Sequence, residues 1–202
     1  MDADKRSRVN TRARLLEHAK AVFAEHGFQS ASVGDLCAAA GFTRGAFYSN
    51  FDSKDELFLA LWDEQADHIV SMIAVARDAI AVASVPLTTA LDLLADHELY
   101  DRDWFALNTE FILHALRNPD AAARLSEHRS RLRAGLSELI GAVLEAEELV
   151  PPPGVDLDAL TRLVIAGHEG CQNQTRIETD IAAPNLFRTY LELVIAGCRP
   201  RD

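Results

Sequence analysis

The sequence predicts an all-α protein on three grounds. Apolar residues recur three or four positions apart through most of the 202 residues, the period of helices that bury one face. Capping residues and glycines punctuate these stretches where helices start and stop. No run of alternating β-branched residues reads as a strand, and no internal repeat or low-complexity tract interrupts the pattern. With 49% hydrophobic and 25% charged residues, the composition is that of a chain that folds in water.

The elements follow in order. Leu15, Leu16, Ala19, Val22 and Phe23 form the apolar stripe of a first helix, with Arg12, Glu17, Lys20 and Glu25 on its other face. Gly27 supplies the stop, because glycine accepts the left-handed backbone that ends a helix, and Phe28 can then fold back on Phe23. Ser32 and Asp35 are spaced as a capping box for a second, two-turn helix whose stripe is Val33, Leu36, Cys37 and Ala40. Gly41 ends it, with Phe42 placed to cover Cys37. Thr43 offers a hydroxyl cap to a third short helix, from Arg44 to about Ser49, which Asn50 and Phe51 leave.

Ser53 and Glu56 form a second capping box. Leu57, Phe58, Leu61, Trp62, Gln65, Ile69, Met72, Ile73 and Ala76 then keep helical spacing, so a long fourth helix is expected from Ser53 to about Ala83. Pro86 marks a break, after which Leu87–Leu99, Trp104–Leu116 and Ala121–Glu148 read as helices separated by Asp/Arg and Asn118-Pro119 turns. Val150 to Gly154, with three consecutive prolines, reads as a stiff connector. Leu157–Arg176 and Leu186–Cys198 are the last two helices.

Charge is unevenly spread. Eight Lys and Arg against six Asp and Glu leave residues 1–54 at +2, and with -11 overall the remainder holds -13. One end therefore suits an anionic partner and the other does not. Cys37, Cys171 and Cys198 are too scattered for a disulfide framework or a zinc pair and read as small buried side chains. The charged start lacks the apolar core of a secretory signal, and no segment is apolar enough to span a bilayer, so a cytoplasmic protein without membrane contact is expected. There is no G-x-G-x-x-G, G-x-x-x-x-G-K-[ST], H-E-x-x-H or G-x-S-x-G pattern, so neither an enzyme nor a bound cofactor is expected. Glu110 and His114 could share a metal but have no third ligand, and no metal site is expected.

Val33 to Asn50 is the unit that carries function: a short helix, a turn at Gly41, and a second short helix opening on Arg44, Gly45 and Ala46. A helix-turn-helix places the start of its second helix at base edges in the major groove. Arg44 suits the bidentate contact to guanine. Gly45 and Ala46 allow close backbone approach to phosphate or a thymine methyl, while Thr43, Tyr48, Lys54 and Ser32 are donors suited to phosphate oxygens. Each of these alone has a plain structural use as a cap, core edge or solvated lysine.

The run from Gly41 through Arg44-Gly45-Ala46-Phe47-Tyr48-Ser49-Asn50-Phe51 to Ser53-Lys54-Asp55-Glu56-Leu57-Phe58 resembles the signature of the tetracycline-repressor (TetR) family of bacterial regulators. Arg14-Leu15-Leu16 to Phe23, Glu25 to Phe28, and Ala31-Ser32-Val33 fall where that family places its first helix, its glycine stop and the second helix. The resemblance covers roughly residues 10–60; Asn50 stands where many members have His. It implies an all-α fold: a three-helix DNA-binding domain over residues 1–54, and a helical ligand-binding and dimerisation domain over 55–202. It also implies double-stranded operator DNA as partner, with Ser32, Thr43, Arg44, Gly45, Ala46, Tyr48, Asn50 and Lys54 at the interface.

Beyond residue 60 the residues speak for themselves. Leu157, Leu160, Val164, Gly167 and Cys171 share one stripe, as do Leu186, Tyr190, Leu193 and Gly197, and the last helix has a second apolar stripe besides. These stripes are candidates for a homodimer interface that would hold two recognition helices about 34 Å apart, one turn of DNA. Trp104, Asn108, Phe111 and His114, with His168, Glu169 and Gln172, are polar or aromatic groups set among apolar stripes. They are candidates for contact with a small apolar or amphipathic effector that would release a repressor from its operator. Two other readings are a regulator that answers to no ligand and a helical protein-interaction module that binds no DNA.

Overall fold

The computed structural model describes residues 2–83, 102–178 and 186–201. Among these lie eight helices: α1 (Asp2–His26), α2 (Val33–Ala40), α3 (Arg44–Tyr48), α4 (Lys54–Ala83), α5 (Arg102–Ala115), α6 (Pro119–Ala146), α7 (Leu157–Ile177) and α8 (Leu186–Ala196). The helix expected over Leu87–Leu99 lies outside the described residues. Two short strands, β1 (Leu149–Val150) and β2 (Arg199–Pro200), pair antiparallel with Leu149 opposite Pro200. No strand was expected from the sequence, and two residues are too few to show an alternating pattern.

Local signals set the boundaries. Gly27 and Gly41 both take left-handed backbone, with φ of 75° and 74°. The Phe42 N–H donates to the Cys37 carbonyl at 2.9 Å, closing the end of α2. The Ser32 hydroxyl accepts from the Asp35 N–H while the Asp35 carboxylate accepts from the Ser32 N–H at 2.8 Å, a complete capping box. Thr43 caps α3 by accepting from the Ala46 N–H at 3.2 Å. Asn118 caps α6 through its side-chain oxygen, and Asp156 caps α7.

The chain forms two compact units. One comprises residues up to Ala66 with Tyr100–Arg129, the other Asp67–Leu99 with Ser130–Asp202. The boundary expected between residues 54 and 55 thus falls inside the first unit, because α5 packs its aromatic face against α1 and the start of α4. Phe23, Phe28, Phe58 and Phe111 are fully buried there. Phe58 stacks on Phe111 at 4.2 Å between ring centroids and meets Phe28 edge-on at 5.3 Å. The contacts add to the area buried, since offset and edge-on pairs align ring quadrupoles.

The second unit has its own core of Ile140, Leu144, Leu160, Val164, Cys171, Phe187 and Leu191. Here α7 and α8 approach closely at Gly167. A β-carbon at that position would stand 2.2 Å from Cε1 of Tyr190, whose hydroxyl donates to the Leu163 carbonyl at 2.8 Å.

Candidate nucleic-acid interface

The interface is built from α2, the Gly41 turn and α3. Phe47 is the buried anchor of α3, and its neighbours on the outer side, Arg44, Gly45 and Tyr48, are exposed, with Tyr48 56% accessible. Thr43 is exposed too. Its oxygen accepts from the helix, which leaves the hydroxyl proton available for a phosphate oxygen. A β-carbon on Gly45 would meet nothing closer than the Thr43 hydroxyl at 3.7 Å, so packing within the chain does not require glycine there. In a helix, glycine costs about 1 kcal/mol relative to alanine. Its use at Gly45 is the bare outward surface.

Three predicted contacts have other work in the structure. Lys54 directs its ammonium group at the carbonyls of Phe28, Gln29 and Ala31, at 2.6, 3.1 and 2.9 Å, and lies over the Phe28 ring. All three donors are engaged in tying the α1–α2 loop to α4, which is a different task from phosphate binding. Burial holds the Lys54 pKa below its usual value. The Ser32 hydroxyl gives its proton to Asp35 at 2.7 Å, so it serves the capping box. The Asn50 amide donates back to the Ala46 carbonyl at 2.8 Å and closes α3 from its C-terminal side, while Ala46 is half-buried.

Other residues, which the sequence reading gave no part in the interface, surround α3. Arg12 lies 4.3 Å over the Phe51 ring and reaches the Asn50 carbonyl, fixing α1 to the end of α3. Asp35 is held below the usual carboxylate range, chiefly by its bonds from Ser32. Cys37 lies buried beneath, its thiol pKa pushed up by burial and drawn partly back by Arg44.

The residues proposed for an effector are divided between the units. Trp104 and Phe111 are buried in the aromatic core of the first, and Asn108 accepts from the Trp62 indole N–H at 3.1 Å. His114 joins Asp55 at 2.8 Å through Nε2 and the Gln29 amide at 3.1 Å through Nδ1. The tautomer satisfying both carries its proton on Nε2. In the second unit His168 lies edge-on to Phe187 and within 3.4 Å of the Gln172 amide, with Gln172 buried and Glu169 exposed. Helical spacing places each of these residues on one face, and the fold decides which faces meet protein.

The stripes assigned to a dimer are also redistributed. Leu160, Val164 and Cys171 point into the chain's own core, so their spacing reflects internal packing. Leu157, Gly167, Leu186 and Tyr190 are half-buried, whereas Leu193 and Gly197 are exposed. Leu163, on the neighbouring face of α7, is 50% accessible and Leu193 is 68% accessible.

Two short helices joined through a left-handed glycine, the second presenting an arginine and a tyrosine outward, define a helix-turn-helix protein. Residues 15–61 match the model for bacterial regulatory proteins of the tetR family. Over 187 residues the chain is 36% identical to the HTH-type transcriptional repressor AcnR of Corynebacterium diphtheriae, covering 92% of this chain and 77% of that one. The chain belongs to the tetR family of bacterial regulatory proteins. It spans about 61% of the length of the AcnR repressors of Corynebacterium efficiens and Corynebacterium glutamicum, at 36% identity over 125 residues, 61% of this chain. Salmonella enterica GusR has the same fold, with a TM-score of 0.73 at 24% identity over 93% of this chain and 96% of that one. So has a Saccharomonospora viridis protein in complex with choline, with a TM-score of 0.67 at 16% identity over 93% and 96%.

Proposed function

We propose that the protein is a sequence-specific repressor of transcription that binds double-stranded operator DNA through α3. The observation that carries this reading is the outward face of α3, where Arg44, Gly45 and Tyr48 stand free of the core that Phe47 anchors. Arg44 reads a guanine, Gly45 admits the DNA backbone, and Thr43 and Tyr48 bind phosphates. Relatives named as repressors support the direction of regulation. The protein acts in the cytoplasm, where its DNA is; among the described residues no helix is long and apolar enough to cross a membrane.

The repressor works as a two-fold homodimer through the outward faces of α7 and α8, around Leu163, Leu193 and Gly197. Two large exposed apolar side chains on adjacent helices support this, since a partner would remove them from water. A small apolar or amphipathic effector releases the operator. His168, Glu169 and Gln172 are the remaining candidates for its polar contacts, and the choline held by a protein of the same fold supports a ligand of that size.

Selection from a random DNA pool, followed by fluorescence anisotropy on the selected sequence, tests the reading. The expected result is a two-fold symmetric site bound by the wild type, with Arg44→Ala weakening it by about tenfold or more at unchanged thermal stability. Recovery of no enriched sequence would overturn DNA recognition. Sedimentation of a monomer at micromolar concentration would overturn the dimer.

A further inference from the structure

We infer that Gly34 is a specificity-determining residue: by having no side chain it seats the guanidinium of Arg44 and fixes the direction in which that group meets DNA. The inference rests on the reading of Arg44 as a base reader.

Gly34 is the second residue of α2, and nothing in its backbone calls for glycine. Its φ is not among the positive ones, which belong to Gly27, Gly41 and Gly154. In a helix of eight residues, glycine near the start weakens an already short element. What occupies the space of its missing side chain is Arg44. A β-carbon at Gly34 would stand 3.1 Å from Nη2 and 3.8 Å from Nε of Arg44, with the Ser32 hydroxyl at 3.3 Å. The guanidinium therefore lies across the first turn of α2, on a floor made by the Gly34 α-carbon and bounded by Ser32. The Asp35 carboxylate, also in this first turn, is turned to the Ser32 N–H and hydroxyl, so it serves the cap of α2.

Gly45 makes a useful contrast. Its missing β-carbon would face open surface, whereas that of Gly34 would face a functional side chain. The first glycine clears the way for DNA and the second positions the group that reads it. Arginine has several rotatable bonds, and a long side chain loses rotamer freedom when it binds. A seat on α2 restricts Arg44 before DNA arrives, so less freedom is lost in forming a two-pronged bond to guanine. Because the fork is planar, a displacement of its plane by a few tenths of an ångström alters how well both prongs reach O6 and N7.

The expected behaviour of Gly34→Ala is thus unusual for a substitution in a small domain. The added methyl presses on the far end of the flexible Arg44 side chain and touches the Ser32 hydroxyl at 3.3 Å, but meets no backbone, so a shift of a few tenths of an ångström accommodates it and α2 gains helix propensity. Arg44 is lifted from its seat. Base preference at the position Arg44 reads falls by about three- to tenfold, while preferences elsewhere in the half-site are kept.

The experiment measures base preference by competitive selection on a library of single-base operator variants, for wild type, Gly34→Ala, Arg44→Ala and the double variant, with thermal melting of each. Support is a loss confined to one base position in Gly34→Ala, the position that Arg44→Ala also flattens, with no further change in the double variant. The proposal is overturned if Gly34→Ala leaves the preferences unchanged, or weakens all sequences equally and additively with Arg44→Ala. If Arg44→Ala itself flattens no position, the reading of Arg44 fails and Gly34 falls with it, a result distinct from an active Arg44 uncoupled from Gly34. A melting temperature well below wild type for Gly34→Ala would overturn the seat as described, since the methyl would then be meeting something rigid.

Discussion

The carboxylate of Glu110 accepts a hydrogen bond from the backbone N–H of Phe28 at 2.5 Å, across 82 residues of sequence. Both its oxygens lie 3.2 Å from where a β-carbon would stand on Gly27, so the glycine that ends α1 also makes room for the acid. Beside it, His114 of the same helix bridges Asp55 and Gln29. Helix α5 is thereby attached to the α1–α2 turn and to the first turn of α4, the two segments that flank the helix-turn-helix.

Glu110→Ala removes the acceptor and leaves the Phe28 N–H in a partly buried place without a partner. A half-buried charged acceptor of this kind is worth about 1–2 kcal/mol. Urea unfolding should show that loss, and anisotropy should show weaker operator binding, because the turn that feeds α2 is no longer held. Equal stability with equal affinity would mean that the bond contributes nothing.

Gly167→Ala is expected to destabilise the second unit. A methyl 2.2 Å from the Tyr190 ring cannot be absorbed by a side-chain tip, since the ring is pinned by its bond to the Leu163 carbonyl. Overpacking of this type costs about 1–3 kcal/mol. Thermal unfolding should fall accordingly, and pairing the change with Tyr190→Ala should restore part of the loss by removing the obstacle.

Gly45→Ala should separate stability from function. The methyl makes only an ordinary contact with the Thr43 hydroxyl at 3.7 Å and α3 gains up to about 1 kcal/mol of helix propensity, so the melting temperature should not fall. Operator affinity should drop by about tenfold, the weight of one lost contact. A variant that melts lower and binds as well would contradict the assignment of that surface.

The thiols of Cys37 and Cys171 should resist modification. Both are buried, and burial pushes their pKa values above the ordinary thiol range, so little thiolate exists at pH 8. A colorimetric disulfide reagent should react with them slowly in the native protein and at once in denaturant. For a thiol with a raised folded pKa, the contribution to stability is present below the unfolded pKa and is lost as pH rises through the folded one. Stability should therefore decline in alkaline solution, and replacing Cys37 by Ala should lessen that decline.

The sequence was most legible where signals are local. Ser32, Gly41 and Thr43 set the limits of α2 and α3 through hydrogen bonds to residues three or four away, and such bonds can be read from spacing alone. It was least legible where a helix has two apolar faces. The periodicity of Leu160, Val164 and Cys171 is the same whether they meet their own chain or a partner, and only the packing of α8 decides. The engagement of Lys54 was hidden for a related reason: composition shows a donor, but its acceptors, carbonyls some twenty-five residues away, come from tertiary structure. Trp104 and Phe111 form an aromatic stripe in the sequence, but the complement of that stripe, Phe28 and Phe58, lies on distant segments. Gly34 gave no signal, because its meaning depends on Arg44 lying over it.

The short pairing of Leu149 and Val150 with Arg199 and Pro200 has a mechanical consequence. It staples together the two ends of a segment of about fifty residues that contains α7 and α8. Once that segment is a closed loop, neither helix can peel away without opening the staple, and the entropy gained by releasing only one is small. The pair should then melt as one cooperative block, with amide protection rising and falling in step along both helices.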